Sequence, residues 1–110
     1  MKNELTNAEM QVMGIIWDNP GRMMALSEIV AAVNDRWKKD WKPQTVSTYL
    51  AHLVQKEFLK MHRNGKIYTY EPLREKDETM AGVILNWCQW YDPEISPVEI
   101  VNKLFKQIGE

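Results

Sequence analysis

Apolar residues recur every three or four positions along the first part of the chain, which is the spacing of a buried helix face. The first such segment follows Thr6 and ends before Asn19-Pro20-Gly21, a sequence that stops helices. Thr6 and Glu9 form a capping-box pattern, in which the threonine hydroxyl accepts an early backbone N–H and the glutamate reaches back. The pattern therefore predicts a first helix that begins at Thr6.

Two further helices are predicted before residue 56. Ser27 is the expected N-cap of the second, which should end near residues 34–36, and a short edge strand is expected at residues 23–25. Residues 37–42 then form a linker, and the third helix begins at Pro43, whose missing N–H is harmless in a first turn. The polar residues of this helix face outward because its apolar residues form one inward stripe. The stripe consists of Val46, Leu50, Leu53 and Val54, with Tyr49 beside it.

Alternation of polar and apolar residues, which is typical of strands, follows the third helix. Residues 59–63 and 66–70 alternate on either side of Asn64-Gly65, a two-residue hairpin signal because its central positions need positive φ. Pro72 should stop the second strand, since proline cannot donate to a sheet ladder. The order predicts a mainly α fold with a small antiparallel β wing: a winged helix-turn-helix domain followed by a helical tail.

The tail regains helical spacing at Arg74, and Asp92-Pro93 divides it into two helices, the second capped by Ser96. Two helices of this size cannot cover both of their wide apolar faces. Burial in a symmetric dimer is the commonest solution, and the alternative is that both helices fold back on residues 1–73. The predicted dimerisation residues are Met80, Val83, Ile84, Trp87, Trp90, Tyr91, Val101, Leu104, Phe105 and Ile108.

The positive charge is concentrated in one segment, although the whole chain has a net charge of −1. From Arg36 to Lys66 there are eight basic and two acidic residues, a net of +6. Residues 1–73 contain ten basic and eight acidic side chains (+2), and residues 74–110 contain four and seven (−3). We therefore predict a DNA-binding domain at 1–73 and a helical dimerisation region at 74–110, because a basic surface attracts a polyanion.

The third helix and the wing are the predicted contacts with double-stranded DNA. Thr45 and Thr48 are expected to contact bases, because a threonine hydroxyl can donate or accept and its methyl can touch a thymine methyl. Gln44 and Ser47 are expected to reach bases or phosphates. The alternative for each residue is an ordinary solvated surface role. The predicted phosphate contacts are Lys42, Lys56, Arg63 and Lys66, with Thr6 and Tyr68 as further candidates.

Several classes of protein do not fit the sequence. No apolar run approaches the roughly 20 residues that span a bilayer, and the N-terminus lacks a signal-peptide core, so we expect a cytoplasmic protein without a membrane partner. Cys88 stands alone, and His52 and His62 have no acidic or cysteine partner nearby in sequence, so neither a metal nor another cofactor is expected. No catalytic motif is present, and the chain is predicted not to be an enzyme.

The segment Trp41-Lys42-Pro43-Gln44-Thr45-Val46-Ser47-Thr48-Tyr49-Leu50 resembles the W-x-P-x-T-[IV]-x-T-x-L recognition helix of the penicillinase and methicillin-resistance repressors, a family that includes copper-responsive repressors. Residues 5–17 are similar to that family's first helix, and residues 58–72 resemble its wing. The resemblance covers residues 4–73 well and the tail weakly. It implies a dimeric transcriptional repressor that binds a palindromic operator.

Two family features are missing. The β-lactam-responsive members are switched off by proteolysis in their C-terminal helices at an Asn-Phe bond, and no Asn-Phe pair occurs here. The copper-responsive members have a tail of paired cysteines, whereas this tail has Cys88 alone. The resemblance therefore leaves the upstream sensor or protease unidentified. The alternative to DNA binding is a winged helix that serves as a protein–protein interaction module.

Overall fold

A computed structural model describes residues 5–109. Its elements are α1 (Asn7–Trp17), β1 (Met24–Ala25), α2 (Leu26–Trp37), α3 (Pro43–Gln55), β2 (Leu59–Asn64), β3 (Ile67–Pro72), α4 (Lys76–Tyr91) and α5 (Pro97–Gln107). The predicted mainly α fold with a small antiparallel sheet is confirmed. The chain forms two compact units, of which the first ends at Lys76 and the second begins at Asp77.

The hydrophobic core of the first unit joins the three helices to the sheet. Each helix contributes apolar side chains from its inner face, and burying such a side chain contributes roughly 1.5–3 kcal/mol. Packing is close, since most of these side chains have no exposed surface. Val54 of the predicted α3 stripe is only partly buried and packs against this core. The core comprises Val12, Met13, Ile15, Ile16, Met24, Ile29, Val33, Val46, Leu50, Leu53, Phe58, Leu59 and Tyr70.

The first helix begins as its sequence predicts. The Thr6 N–H donates to Glu9 Oε1 at 3.0 Å, and the Glu9 N–H donates to Thr6 Oγ1 at 3.1 Å, which completes the capping box. Two backbone N–H groups that a helix start leaves without intrahelical partners are satisfied in this way. The capping role of Thr6 is therefore confirmed.

The second helix begins earlier than predicted. Its N-cap is Ala25 and not Ser27, because Glu28 Oε1 accepts the Ala25 N–H at 3.0 Å and so caps the helix without a hydroxyl. At the other end the helix runs through Trp37, one residue beyond the predicted end. Lys38 stops it in the left-handed conformation with φ 54°.

The sheet has the order β1-β3-β2, and both pairings are antiparallel. The predicted strand near residue 24 lies at an edge, with Met24 opposite Tyr70. The hairpin is confirmed, but its register is shifted by one residue. Asn64 pairs with Ile67, so the two loop residues are Gly65 and Lys66. Within this loop only Gly65 has positive φ, at 66°, so glycine occupies the one position that excludes most side chains.

Glu57 follows α3 with φ 65°, a left-handed position that is usually glycine after a helix. We expect Glu57→Gly to raise the free energy of unfolding by about 0.5–1 kcal/mol, because glycine adopts this conformation without a steric penalty. Urea denaturation measures the change. Ala31→Gly is the matched control: it lies at an exposed position inside α2 and should destabilise by about 1 kcal/mol. Equal losses of stability in both variants would contradict the left-handed conformation of Glu57.

The second unit contains α4 and α5. Its sequence signals are confirmed, since α4 ends at Tyr91 before Asp92-Pro93, and the Ser96 Oγ accepts the Glu99 N–H at 3.4 Å to cap α5. The Trp87 and Trp90 rings lie 6.2 Å apart between centroids. From residue 5 to residue 109, no helix combines the length and the hydropathy that a membrane crossing requires.

Candidate nucleic-acid interface

The third helix is held by its inner face and by the segment before it. Val46, Leu50 and Leu53 are fully buried, and the helix packs against α1 and α2. The Asn34 side chain brackets the backbone of Trp41: its Nδ2 donates to the Trp41 carbonyl at 3.0 Å, and its Oδ1 accepts the Trp41 N–H at 2.9 Å. Sequence reasoning missed Asn34, because nothing in the local pattern separates it from a solvated helix residue.

Two tryptophans support this arrangement. The Trp41 ring meets Tyr49 of α3 edge-on, with centroids 5.2 Å apart. The Trp37 indole N–H donates to the Gln11 carbonyl of α1 at 3.3 Å, which ties the end of α2 to the first helix. Trp37 lies inside α2, so the predicted linker is shorter by one residue. Both side chains are half-buried, and they fix the chain on either side of the turn that precedes α3.

The outer face of α3 carries the polar residues predicted to contact DNA. Gln44 and Thr48 are exposed, whereas Thr45 and Ser47 are half-buried along the two sides of the helix. The Thr48 hydroxyl donates to the Gln44 carbonyl one turn earlier, at 3.0 Å. Gln55, which lies seven residues after Thr48 and shares this face, is also exposed and was not among the predicted contacts.

The wing presents basic residues at its tip. Arg63, Lys66 and Tyr68 are all exposed. The Arg63 Nε donates to the Gly65 carbonyl at 2.9 Å, and its guanidinium lies 5.6 Å from the centre of the Tyr68 ring. Tyr70 is 6% exposed and belongs to the core; its pKa is raised, first by burial and then by Tyr68 beside it. Tyr68 is therefore the accessible phenol of the two.

Glu9 is a buried carboxylate that connects α1 to the end of α3. It is 2% exposed, and its Oε1 accepts from the Lys56 ammonium at 2.6 Å as well as from the Thr6 N–H. Burial alone raises the pKa of Glu9. The hydrogen bonds from Lys56 and Thr6, together with the positive charge of Lys56 and that of His52 when it is protonated, outweigh burial and hold that pKa below 4.5.

The pair gives Lys56 a partner within the protein, and its phosphate contact stays a prediction. Its side chain is only 21% exposed, and its ammonium faces the buried carboxylate of Glu9. Sequence reasoning assigned Lys56 by its place in a basic segment and did not anticipate a partner 47 positions away. Lys42, by contrast, is exposed at the N-cap of α3 with no side-chain capping bond, as the prediction requires.

The two histidines are not isolated in the fold. His52 Nδ1 lies 3.4 Å from Glu9 Oε2, and His62 Nε2 lies 2.7 Å from Glu71 Oε1 across the hairpin. Neither partner lies nearby in sequence, because both carboxylates come from other elements of the fold. Within residues 5–109, no group of three or more histidine, cysteine or acidic side chains has the arrangement of a metal site.

Most residues predicted for dimerisation are exposed apolar side chains of the second unit. Trp87, Trp90 and Tyr91 are 65%, 77% and 72% exposed, and Val83 is half-buried. Ile108 lies just beyond α5 as its C-cap, and the carbonyl of Leu104 accepts its N–H. Exposed apolar side chains in this number favour association with another surface. The other exposed members are Met80, Ile84, Val101, Leu104, Phe105 and Ile108.

Three packed helices followed by a two-stranded hairpin define a winged-helix protein, and a polar helix face beside a basic hairpin is typical of the class that binds DNA. The chain belongs to the penicillinase repressor family, whose sequence model matches residues 5–106. The family resemblance predicted from residues 41–50 is thus confirmed. Since this family consists of transcriptional repressors, the prediction that the chain is not an enzyme is also confirmed.

Two relatives show the extent of the match. The methicillin resistance regulatory protein MecI of Staphylococcus aureus strain N315 is 31% identical over 75 residues, which cover 68% of this chain and 58% of MecI. The match therefore spans less than two thirds of that relative. The penicillinase repressor of Bacillus licheniformis is 28% identical over 123 aligned positions, which cover 97% of this chain and 91% of that repressor.

Solved structures agree with the fold. The monomeric form of Bacillus licheniformis BlaI, determined in complex with the blaP half-operator, superposes with a TM-score of 0.55 at 25% identity, over 68% of this chain and 87% of BlaI. The CopR repressor superposes with a TM-score of 0.51 at 35% identity, over 66% of this chain and 99% of CopR. The homologues are thus repressors, and one of them is seen on operator DNA.

Proposed function

We propose that this chain is a homodimeric, cytoplasmic transcriptional repressor that inserts α3 into the major groove of a palindromic operator while the wing contacts the flanking backbone. The observation that carries the proposal is the polar outer face of α3, which has no acidic residue between Lys42 and Lys56 and is followed directly by a basic hairpin. The complex of BlaI with the blaP half-operator supports operator DNA as the partner. Residues 1–73 bind DNA in this proposal, and residues 74–110 dimerise.

Each part of the surface has its own role. Thr45 and Thr48 contact base edges, and Gln44 and Ser47 reach bases or phosphates beside them. Lys42, at the exposed start of α3, contacts a phosphate. Arg63, Lys66 and Tyr68 of the wing contact the DNA backbone. The Thr6 hydroxyl oxygen accepts the Glu9 N–H, so its own proton is available to donate to a phosphate.

Selection of bound sequences from a random DNA pool tests the proposed function. A twofold repressor should recover two inverted half-sites with centres about one helical turn, or a multiple of a turn, apart. Recovery of a single half-site would contradict the dimer, and failure to enrich any sequence would contradict specific DNA binding. In the second case, binding of the purified chain to a protein partner without DNA would favour the interaction-module alternative.

Thr48→Ala is expected to weaken binding to the selected site by about 1–3 kcal/mol and to change binding to random DNA much less, because the hydroxyl and methyl that it removes interact with bases. Fluorescence anisotropy on both duplexes measures the difference. Ser27→Ala, which removes an exposed hydroxyl from α2, should leave both affinities unchanged. Equal weakening of Thr48→Ala on both duplexes would show that Thr48 does not discriminate bases.

Replacing Arg63 and Lys66 with alanine should weaken binding to every sequence and flatten its salt dependence. Removing one interaction with a phosphate reduces the slope of log K against log salt by about 0.9. Titrations across a range of salt concentrations give the slope. Lys103→Ala, an exposed lysine of α5, is the control and should keep the slope of the unchanged protein. An unaltered slope for the wing variants would refute their contact with phosphates.

A further inference from the structure

His52 lies on the predicted DNA-facing side of α3 and also faces a buried carboxylate. It is four residues after Thr48 and seven after Thr45, so the three side chains share one side of the helix. Its side chain is 50% exposed, while Glu9 behind it is 2% exposed. His52 Nδ1 is 3.4 Å from Glu9 Oε2. Nδ1 of the imidazole therefore faces the buried carboxylate, while half of the side chain surface stays open to solvent.

The charges around this imidazole act in opposite directions. Glu9 of α1 favours a proton on Nδ1, since opposite charges attract at this distance. Lys56, one turn later on α3, would oppose the protonated ring. Its ammonium is 2.6 Å from the other Glu9 oxygen, so the two charges largely offset each other at the ring, and the negative charge that a bound phosphate adds is what favours the protonated form. A neutral imidazole with its proton on Nδ1 offers only a lone pair at Nε2, which repels a phosphate, whereas a protonated imidazole donates from Nε2.

We propose that His52 is a phosphate contact whose strength depends on protonation, so that DNA binding takes up a proton on this side chain. The bound imidazolium lies between two anions, the Glu9 carboxylate on one side and a DNA phosphate on the other. Glu9 acts as a positioning residue, because it holds Nδ1 and leaves Nε2 for DNA. The inference rests on the proposed insertion of α3 into DNA.

Proton uptake on binding makes the affinity for DNA depend on pH. A protein that gains a proton on binding must bind more tightly as the pH falls, and histidine is the side chain that ordinarily changes charge between about pH 5 and 8. The chain has one other histidine, His62, whose Nε2 is 2.7 Å from Glu71 Oε1 on the wing. His62 provides the matched control, since it is also exposed in part and also paired with a carboxylate.

The experiment measures binding of the full chain to a labelled random-sequence duplex at low salt, because a phosphate contact does not depend on base sequence. The unchanged protein and His62→Gln should bind about three to ten times more tightly at about pH 6 than at about pH 8. His52→Gln, which cannot be protonated, should lose most of this change. His52→Arg, which stays charged, should bind tightly at both pH values. Circular dichroism at both pH values verifies that each variant is folded.

The outcomes separate this inference from the proposed function. If the unchanged protein binds the duplex with the same affinity at both pH values, the proton uptake is refuted while DNA binding stands. If His52→Gln keeps the full pH dependence, another group takes up the proton and the inference is equally refuted. If the unchanged protein does not bind the duplex at either pH, the proposed function fails, and this inference fails with it.

Discussion

Replacing Trp87 with alanine is expected to convert the protein from a dimer to a monomer at micromolar concentration. The indole is 65% exposed in a single chain, and the proposed dimer would bury one copy from each subunit. Truncating a tryptophan at the centre of an interface costs about 2–4 kcal/mol, and twofold symmetry removes two at once. The dissociation constant should therefore rise about a thousandfold or more. Sedimentation equilibrium measures this change directly.

Gln89→Ala is the control for the Trp87 experiment, since Gln89 is an exposed polar residue on the same helix and should leave the dimer intact. A mass near 13.0 kDa for the unchanged protein would already refute the proposed dimer. A Trp87→Ala variant that stays dimeric would place the interface elsewhere. Because the proposed dimer occupies both half-sites of an operator, loss of the dimer should also weaken binding to a palindrome more than binding to a single half-site.

Lys56→Met is expected to lower the free energy of unfolding by about 2–3 kcal/mol, because it leaves the buried Glu9 carboxylate without its ammonium partner. The value is below that of a fully buried pair, since the Lys56 side chain is 21% exposed and water screens part of the interaction. Urea denaturation measures the change. Lys60→Met, an exposed lysine of β2, is the control and should change stability by much less. Similar losses of stability in both variants would mean that the ion pair between Lys56 and Glu9 does not stabilise the fold.

The same carboxylate should make stability depend on acid pH. The pKa of Glu9 is lower in the folded protein than its ordinary value of 4.5. A group with a lowered pKa contributes stability above its unfolded value, and that contribution is lost as the pH falls through the folded value. The free energy of unfolding of the unchanged protein should therefore decline below pH 4.5. That of Glu9→Gln should decline less on acidification. Parallel pH profiles for the two proteins would exclude Glu9 as the source.

The sequence predicted the elements whose signals are local. The capping box at Thr6, the proline that starts α3 and the Ser96 cap of α5 are each contained within four residues, and all three are confirmed. The predicted N-cap of α2, Ser27, was wrong because Glu28, three residues after the observed N-cap Ala25, replaces a capping hydroxyl. The hairpin register was wrong by one residue because Gly65 has neighbours on both sides that are compatible with a turn.

The candidate site was harder to predict wherever it depends on contacts between distant residues. Helical spacing places Gln44 and Thr48 on the outside of α3, and the structure agrees. Spacing gives no information about Glu9 and Lys56, which are 47 positions apart, or about the bracket that Asn34 forms around Trp41. A basic residue that pairs internally looks the same in sequence as one that is free to meet a phosphate. The composition of a basic segment therefore does not show which of its residues pair within the protein.

The hydrogen bond from Thr48 to its own helix has a consequence for base discrimination. Because the Thr48 proton is directed to the Gln44 carbonyl at 3.0 Å, the hydroxyl oxygen offers the groove lone pairs and no hydrogen. In the major groove, adenine and cytosine present exocyclic amino groups, whereas guanine and thymine present carbonyl oxygens at the corresponding positions. At the proposed base contact, a threonine whose proton is committed in this way would favour amino-bearing bases and disfavour keto-bearing ones, a preference that a freely rotating hydroxyl would not impose.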